Sequence, residues 1–447
     1  MRSTLQILAL LGLAATTAMA QVSAPFYPDN WNWTNATLYP FTFLSTGGAA
    51  IAPTNTTLVE GWINLVNWSA VPDWPVNTQD ANGDLVFTGV NNNATNPSCN
   101  WSYDGFCNRT TDVMECPTPG VWGLTFDDGP TVNDSLLYDY LDSINQKASL
   151  FYIGIEVAQY PAAAKRACQE FSESNRFKIN SGHHISIHTW SHHMMTTLTN
   201  YEVVAELKYT EMIIKEVCGI TPKYFRPPLG DMDDRVRAIA MQLVRNHDQM
   251  TSIFKLRPQK PIIIYSHLPP YIQGYTPIIW DLDTNDWTND WPTLPETGVT
   301  ATQEDANFTI WTTESTYVNA SHGHICLQHE LNNFTMSEAI KNIPILKKVY
   351  NVMPVASCIG QSYPYLEDIQ YPILQPNGSV ALSANTSSST SISTTSTGTI
   401  LSGVSSTSAT AKPSSLSSTG SRAGPSFLAS AVFGGMSALV ALMVTVA

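Results

Sequence analysis

The sequence predicts an α/β protein whose central domain is a parallel (β/α) barrel, and three observations carry that prediction. From Cys116 onward, short apolar runs of strand length alternate with longer amphipathic ones. Five polar clusters close strand-like runs: Asp127-Asp128-Gly129-Pro130, His188-Thr189-Trp190-Ser191-His192, Arg226-Pro227-Pro228-Leu229-Gly230, Asp283-Thr284-Asn285-Asp286-Trp287, and Gln328-His329-Glu330 after Ile325-Cys326-Leu327. The C-terminal ends of strands are where barrels and α/β sheets do their chemistry. Finally, 447 residues with 43% hydrophobic content suffice for one large domain with additions at both ends.

Taken in order, residues 1–20 read as a secretory signal, with Arg2, an apolar run and the small-x-small site Ala18-Met19-Ala20. Residues 21–115, rich in Trp, Asn, Pro and Thr with little periodicity, are expected to form a loop-rich arm packed against the main domain. The domain proper is placed at 116–360 and opens with the strand Val121-Trp122-Gly123-Leu124, which runs into Thr125-Phe126-Asp127-Asp128. Residues 150–155 read as a strand, 162–171 as a helix and 184–187 as a short strand. Val203, Val204, Leu207, Met212 and Ile213 make 201–217 an amphipathic helix. Further strands are expected at 224–225, 261–265, 277–280 and 324–327, with a closing helix at 336–350 and a C-terminal extension over 361–378.

Residues 379–420 are mostly Ser, Thr, Ala and Gly, a composition that cannot bury enough surface to fold and suits a disordered, O-glycosylated stalk. Residues 427–447 carry no charge and no basic flank follows them, unlike a permanent membrane span. Small residues, a polar spacer and a terminal apolar tail match a GPI-attachment signal over 421–447, removed in the mature protein, with attachment between Ser415 and Ser421.

Secretion agrees with thirteen Asn-x-Ser/Thr sequons: Asn32, Asn35, Asn55, Asn67, Asn93, Asn100, Asn108, Asn133, Asn307, Asn319, Asn333, Asn377 and Asn385. Seven cysteines in a secreted chain imply disulfides with at least one thiol left over. Cys99 and Cys107 are close enough for a local loop, Cys116 and Cys358 could staple the two ends of the domain, and Cys326 sits within an apolar strand. A net charge of −14 argues against nucleic-acid binding.

Successive strand residues face opposite ways, so Asp127 and Asp128 can serve one site only if the strand turns there, which Gly129-Pro130 permits. His188 and His192 are spaced i, i+4, so on a helical turn both imidazoles face one side and can share an ion. Two His with a carboxylate and an open position is a catalytic arrangement, with Zn²⁺ the default metal and Co²⁺ the alternative. The flanking His183, His184 and His193 read as outlying or surface groups.

These five blocks, in this order, resemble the polysaccharide deacetylase family (carbohydrate esterase family 4, the NodB-like domain) over residues 116–360, with most likeness to fungal GPI-anchored chitin deacetylases. The resemblance implies a distorted, incomplete (β/α) barrel, with Asp128 as third metal ligand beside His188 and His192. It implies Asp127 as general base, Arg226 as its partner, and the backbone of Leu229, where relatives usually carry Tyr, as oxyanion donor. His329 becomes the general acid an amide leaving group needs, oriented by Asp286, while Trp287 and Leu327 wall the acetyl pocket. Fungal relatives also bridge the ends of the domain as Cys116 and Cys358 could. The expected activity is removal of N-acetyl groups from chitin or chito-oligosaccharides by a monomer held at plasma membrane and wall through the GPI anchor. Acetylxylan is the alternative substrate. An inactive wall-glycan-binding or structural protein is the alternative class.

Overall fold

The computed structural model describes residues 31–42, 49–89, 95–103, 106–168, 171–174, 177–180, 182–243, 274–289, 298–374 and 380–381, all within the unit Met1–Asn385. The expected signal, the strand at 261–265, the stalk beyond residue 381, the tail with its attachment window, and the sequons Asn93, Asn377 and Asn385 lie outside these residues, while Val380–Ala381, expected to open the disordered stalk, instead pair antiparallel with Ile373–Leu374.

The domain alternates strands and helices: β1 (Val121–Asp127), α1 (Ser135–Ser143), β2 (Ser149–Tyr152), α2 (Gly154–Gln159), α3 (Pro161–Cys168), β3 (His184–Ile187), α4 (Asn200–Cys218), β4 (Tyr224–Phe225), α5 (Asp234–Leu243), β5 (Thr276–Pro277), β6 (Leu282–Asp283), α6 (Ala301–Thr313), β7 (His324–Leu327), α7 (Asn333–Leu346) and β8 (Asn351–Met353). Among the described residues these strands form one sheet in the order β6-β7-β1-β2-β3-β4-β5, with β8 beside the first half of β1, and every pairing is parallel. Every residue of β1 is buried, as expected of a parallel strand covered on both faces.

The two edge strands, β5 and β6, are separated in sequence only by residues 278–281, so the sheet curls until its edges approach. Val113 from the arm bridges Ile278 in that gap rather than a ladder closing it. This is the distorted, incomplete barrel, and all its strands end on one rim.

The helices cover the outside. Helix α4 begins at a capping box between Thr199 and Glu202 and ends at Gly219, whose left-handed φ of 78° suits a C-cap glycine. Disulfides join Cys99 to Cys107, Cys116 to Cys358, and Cys168 to Cys218, leaving Cys326 free and buried. The Cys168–Cys218 pair ties α3 to α4 and was not anticipated. Among its described residues the arm holds short elements, including a helix at Thr57–Ile63, and it packs on α4, where Trp62 meets Tyr209 edge to face at 5.0 Å, and on the loop before it, where Tyr39 stacks on Trp190 at 6.3 Å.

Several expected boundaries move. The strand expected over 150–155 ends at Tyr152, and helix α2 begins at Gly154. A Cβ at Gly154 would overlap the Trp190 ring, so the chain must turn close to that indole. The helix expected over 162–171 stops at Cys168, with Phe171 in a strand over Phe171–Ser174. Of the strand expected over 277–280 only Pro277 joins the ladder, in a strand over Thr276–Pro277, and the closing helix runs Asn333–Leu346. The sequon Asn100 is fully buried and its amide donates to Asp231 Oδ1 at 3.1 Å, so it offers no glycan acceptor in the folded chain.

Candidate active site

Asp127 is the last residue of β1, and the strand turns directly after it: Asp128 has a left-handed φ of 72°. That turn brings two adjacent carboxylates to one cavity of about 660 Å³ at the rim. A Cβ on Gly129 would overlap the Glu330 carboxylate, so the turn also requires this glycine.

His188 directly follows β3, and its Nδ1 lies 2.7 Å from the carbonyl oxygen of Arg226. Donation there fixes the tautomer and leaves the Nε2 lone pair facing Asp128, the outer-sphere arrangement usual for metal-binding imidazoles. Asp128 Oδ1 sits 3.2 Å from His188 Nε2 and 3.1 Å from His192 Nε2. Neither contact has hydrogen-bond geometry, so this buried oxygen is left without a partner. A cation shared with the two imidazoles would satisfy it. The three donor atoms lie within 4.8 Å of one another. The residues therefore fit a divalent ion of the Asp/His/His type.

The two histidines do not share a helical turn, as their spacing suggested. Thr189 and His192 have φ of 63° and 59°, and the segment between them is a non-helical loop. Its backbone is satisfied from outside: Glu206 of α4 accepts the N–H groups of Trp190 and Ser191 at 2.8 Å each and the Ser191 hydroxyl at 2.7 Å. The same carboxylate takes the Ala52 N–H of the arm at 2.8 Å. Sequence gave no signal for Glu206, because one acid on an amphipathic helix reads as solvent-facing, whereas here it is completely buried.

Arg226 follows β4, is fully buried, and donates from Nη1 to Asp127 Oδ1 at 2.7 Å. Its other donors reach the Ile278 and Ile279 carbonyls, and its guanidinium lies over Phe151 at 4.0 Å and Trp280 at 5.4 Å. Such anchoring holds the Asp127 carboxylate in one orientation. Asp127 and His329 form a parallel bridge, so they are close neighbours at the rim. His329 Nδ1 lies 2.6 Å from Asp286 Oδ1. Burial opposes charge on this imidazole, but the Asp286, Asp128 and Asp127 carboxylates together outweigh it, and the pKa is pushed up to about 10.

Leu229, Trp287 and Leu327 line the same cavity, with Leu229 at φ 55° and 49% exposed. Asp283 lines it too, its carboxyl pushed up to about 6 by burial. It opens the same cluster as Asp286, the carboxylate expected to act there. His193 lines the cavity with its Nδ1 2.8 Å from Ser191 Oγ. His183 and His184 are buried rather than at the surface: His183 Nδ1 accepts the Ala148 N–H and His184 Nδ1 meets Ser149 Oγ, and burial lowers both to about 3.

Residues 115–245 match the sequence profile described as polysaccharide deacetylase. A chitin deacetylase of Amylomyces rouxii is 39% identical over 319 residues, 69% of this chain and 63% of that protein. Residues 115–245 thus carry a polysaccharide deacetylase domain. Chitin deacetylase 1 of Cryptococcus neoformans var. grubii is 34% identical over 326 residues, 70% of this chain and 59% of its own length. The chain thus spans about three fifths of the curated relatives it matches. The solved chitin deacetylase of Colletotrichum lindemuthianum covers 57% of this chain and 94% of its own, at 24% identity and a TM-score of 0.42, too low a likeness to argue from.

Proposed function

We propose that this chain removes N-acetyl groups from the N-acetylglucosamine units of chitin, leaving chitosan and acetate. The observation that carries the reading is the meeting, in one cavity, of an Asp128/His188/His192 ligand set, an Arg226-paired carboxylate and an Asp286-paired imidazole. The names of the fungal relatives supply the polymer.

Asp128, His188 and His192 would hold the ion, zinc by its donor set with cobalt as the alternative. When bound, the ion supplies Lewis acidity that acidifies a water and polarises the acetyl carbonyl. Asp127, held by Arg226, takes the proton as water oxygen bonds to the carbonyl carbon. The backbone N–H of Leu229 is the donor assigned to the developing oxyanion. An amide nitrogen leaves poorly as an anion, so His329 delivers a proton to it as the C–N bond breaks, giving the free amine and acetate. Asp286 fixes the His329 tautomer with Nδ1 protonated, and Nε2 is the nitrogen that donates. Trp287 and Leu327 wall the pocket for the acetyl methyl group.

The same reading places the catalytic domain at 116–360 behind a glycosylated arm, and the mature monomer at plasma membrane and wall through a GPI anchor from the C-terminal signal. Deleting residues 427–447 should send the protein into the medium. The activity is tested by measuring acetate released from N-acetylglucosamine oligomers and from acetylxylan by the purified, metal-loaded protein. Release from the oligomers is expected to dominate; release from acetylxylan alone would overturn the substrate, and release from neither would overturn the enzyme.

A further inference from the structure

A second cavity, of about 530 Å³, lies between the arm and the start of α4. Trp68, Trp74 and Tyr201 give it three aromatic side chains, and Asp73, Asn200 and Arg235 give it polar ones. Trp68 and Tyr201 meet edge to face with centroids 5.4 Å apart, and Tyr201 is 49% exposed. Two water-shielded donors here, Trp74 Nε1 and Arg235 Nε, have no hydrogen-bond partner among the described residues. The remaining Arg235 nitrogens are engaged by Asn200 and the Thr196 carbonyl, and Asp233 lies 3.9 Å from Nε, beyond hydrogen-bonding distance. Because both atoms are shielded, a ligand in this cavity would meet the exposed Asp73 carboxylate and the aromatic rings rather than these donors. Aromatic walls with a few placed polar groups are the usual make-up of a ligand site.

This cavity neighbours the candidate active site along the chain. The same two chain segments line both: Val76 and Thr199 here, Gln79 and Met194 there. Between them Asn77 is pinned to Thr196 by a backbone and a side-chain hydrogen bond, each 3.0 Å. Val76 and Gln79 are three residues apart, a span of at most about 11 Å.

We propose that the second cavity is a remote subsite for the polysaccharide, holding a sugar of the same strand whose acetyl group faces Asp127 and His329. The inference rests on the deacetylase reading above and adds to it a reason for a minimum chain length. The aromatic side chains offer apolar faces to a pyranose ring, and the exposed Asp73 carboxylate accepts from its hydroxyl groups. The arm, outside the segment that matches the family profile, then acts in substrate selection.

The test is a kinetic series on N-acetylglucosamine oligomers from dimer to hexamer, using protein stripped of N-glycans so that no sugar on Asn67, which adjoins Trp68, competes. Tyr201→Ala removes an exposed ring, and Asp73→Ala removes the exposed acceptor. For Tyr201→Ala the hexamer KM is expected to rise about tenfold, with kcat and dimer kinetics unchanged. Asp73→Ala is expected to move the hexamer KM the same way by a smaller factor. An unchanged hexamer KM in folded variants would overturn the subsite, as would an equal loss at every length. If the wild type releases no acetate from any oligomer, the deacetylase reading falls separately. Hexamer affinity by calorimetry then decides the subsite, with weaker binding to Tyr201→Ala supporting it and equal binding overturning it.

Discussion

One carboxylate, that of Asp286, grips His329 twice: Oδ1 lies 2.6 Å from the ring Nδ1, and Oδ2 takes the backbone N–H at 2.9 Å. Both residues are buried, so the pair sets ring orientation, tautomer and charge together. Because Asp286 favours the imidazolium, the acid form of His329 persists to alkaline pH, its pKa standing near 10 against the opposing effect of burial.

Asp286→Asn should therefore pull the alkaline limb of the kcat profile toward neutrality by about one pH unit or more. The sign follows from a raised imidazole pKa: the protonated acid is retained below it and lost above it, so removing the partner brings the loss to lower pH. A pH–rate profile of wild type and variant checks this, and an unmoved alkaline limb would assign that limb to another group.

His329→Ala should damage amide substrates far more than activated acetate esters. An aryloxide departs without a proton, whereas a sugar amine requires one, so the expected amide loss is on the order of 10²-fold with ester cleavage retained. Assaying both substrates on one metal-loaded preparation cancels errors in enzyme concentration. Equal losses would show that His329 holds the site together instead.

Much of this site was legible because its parts are local. The apolar run Val121-Trp122-Gly123-Leu124 followed by Asp127-Asp128-Gly129-Pro130 encodes both strand and turn in a few residues, and the structure places both acids at the rim. Helix α4 was equally readable from its apolar spacing. The His188–His192 loop was misread as a helical turn because its geometry is imposed by Glu206, a residue distant in sequence whose burial no local pattern reveals. Likewise the strand expected over 150–155 overran because the contact that turns the chain at Gly154 comes from Trp190.

Glu206→Gln should loosen the metal loop. The carboxylate collects three backbone N–H groups and a hydroxyl, and an amide would present its own donors to some of them. Metal affinity is expected to fall about 10–100-fold, as for other partners that orient metal ligands. Competition with a chromophoric chelator measures it. A lowered Tm with unchanged affinity would limit Glu206 to a structural role.

Asp127→Asn should keep the ion and the fold but lose about 10²–10⁴-fold in turnover, the usual worth of a general base. Elemental analysis beside the kinetics separates the two aspartates. Loss of the ion in this variant would reverse their assignment.

The most direct test of the central claim is acetate release from chitin oligomers as Zn²⁺ is titrated into chelator-stripped protein. The account expects no turnover without metal, a linear rise, and saturation at one ion per chain, with Asp128→Asn failing to recover over the same range. Full activity in protein shown by elemental analysis to be metal-free would contradict it.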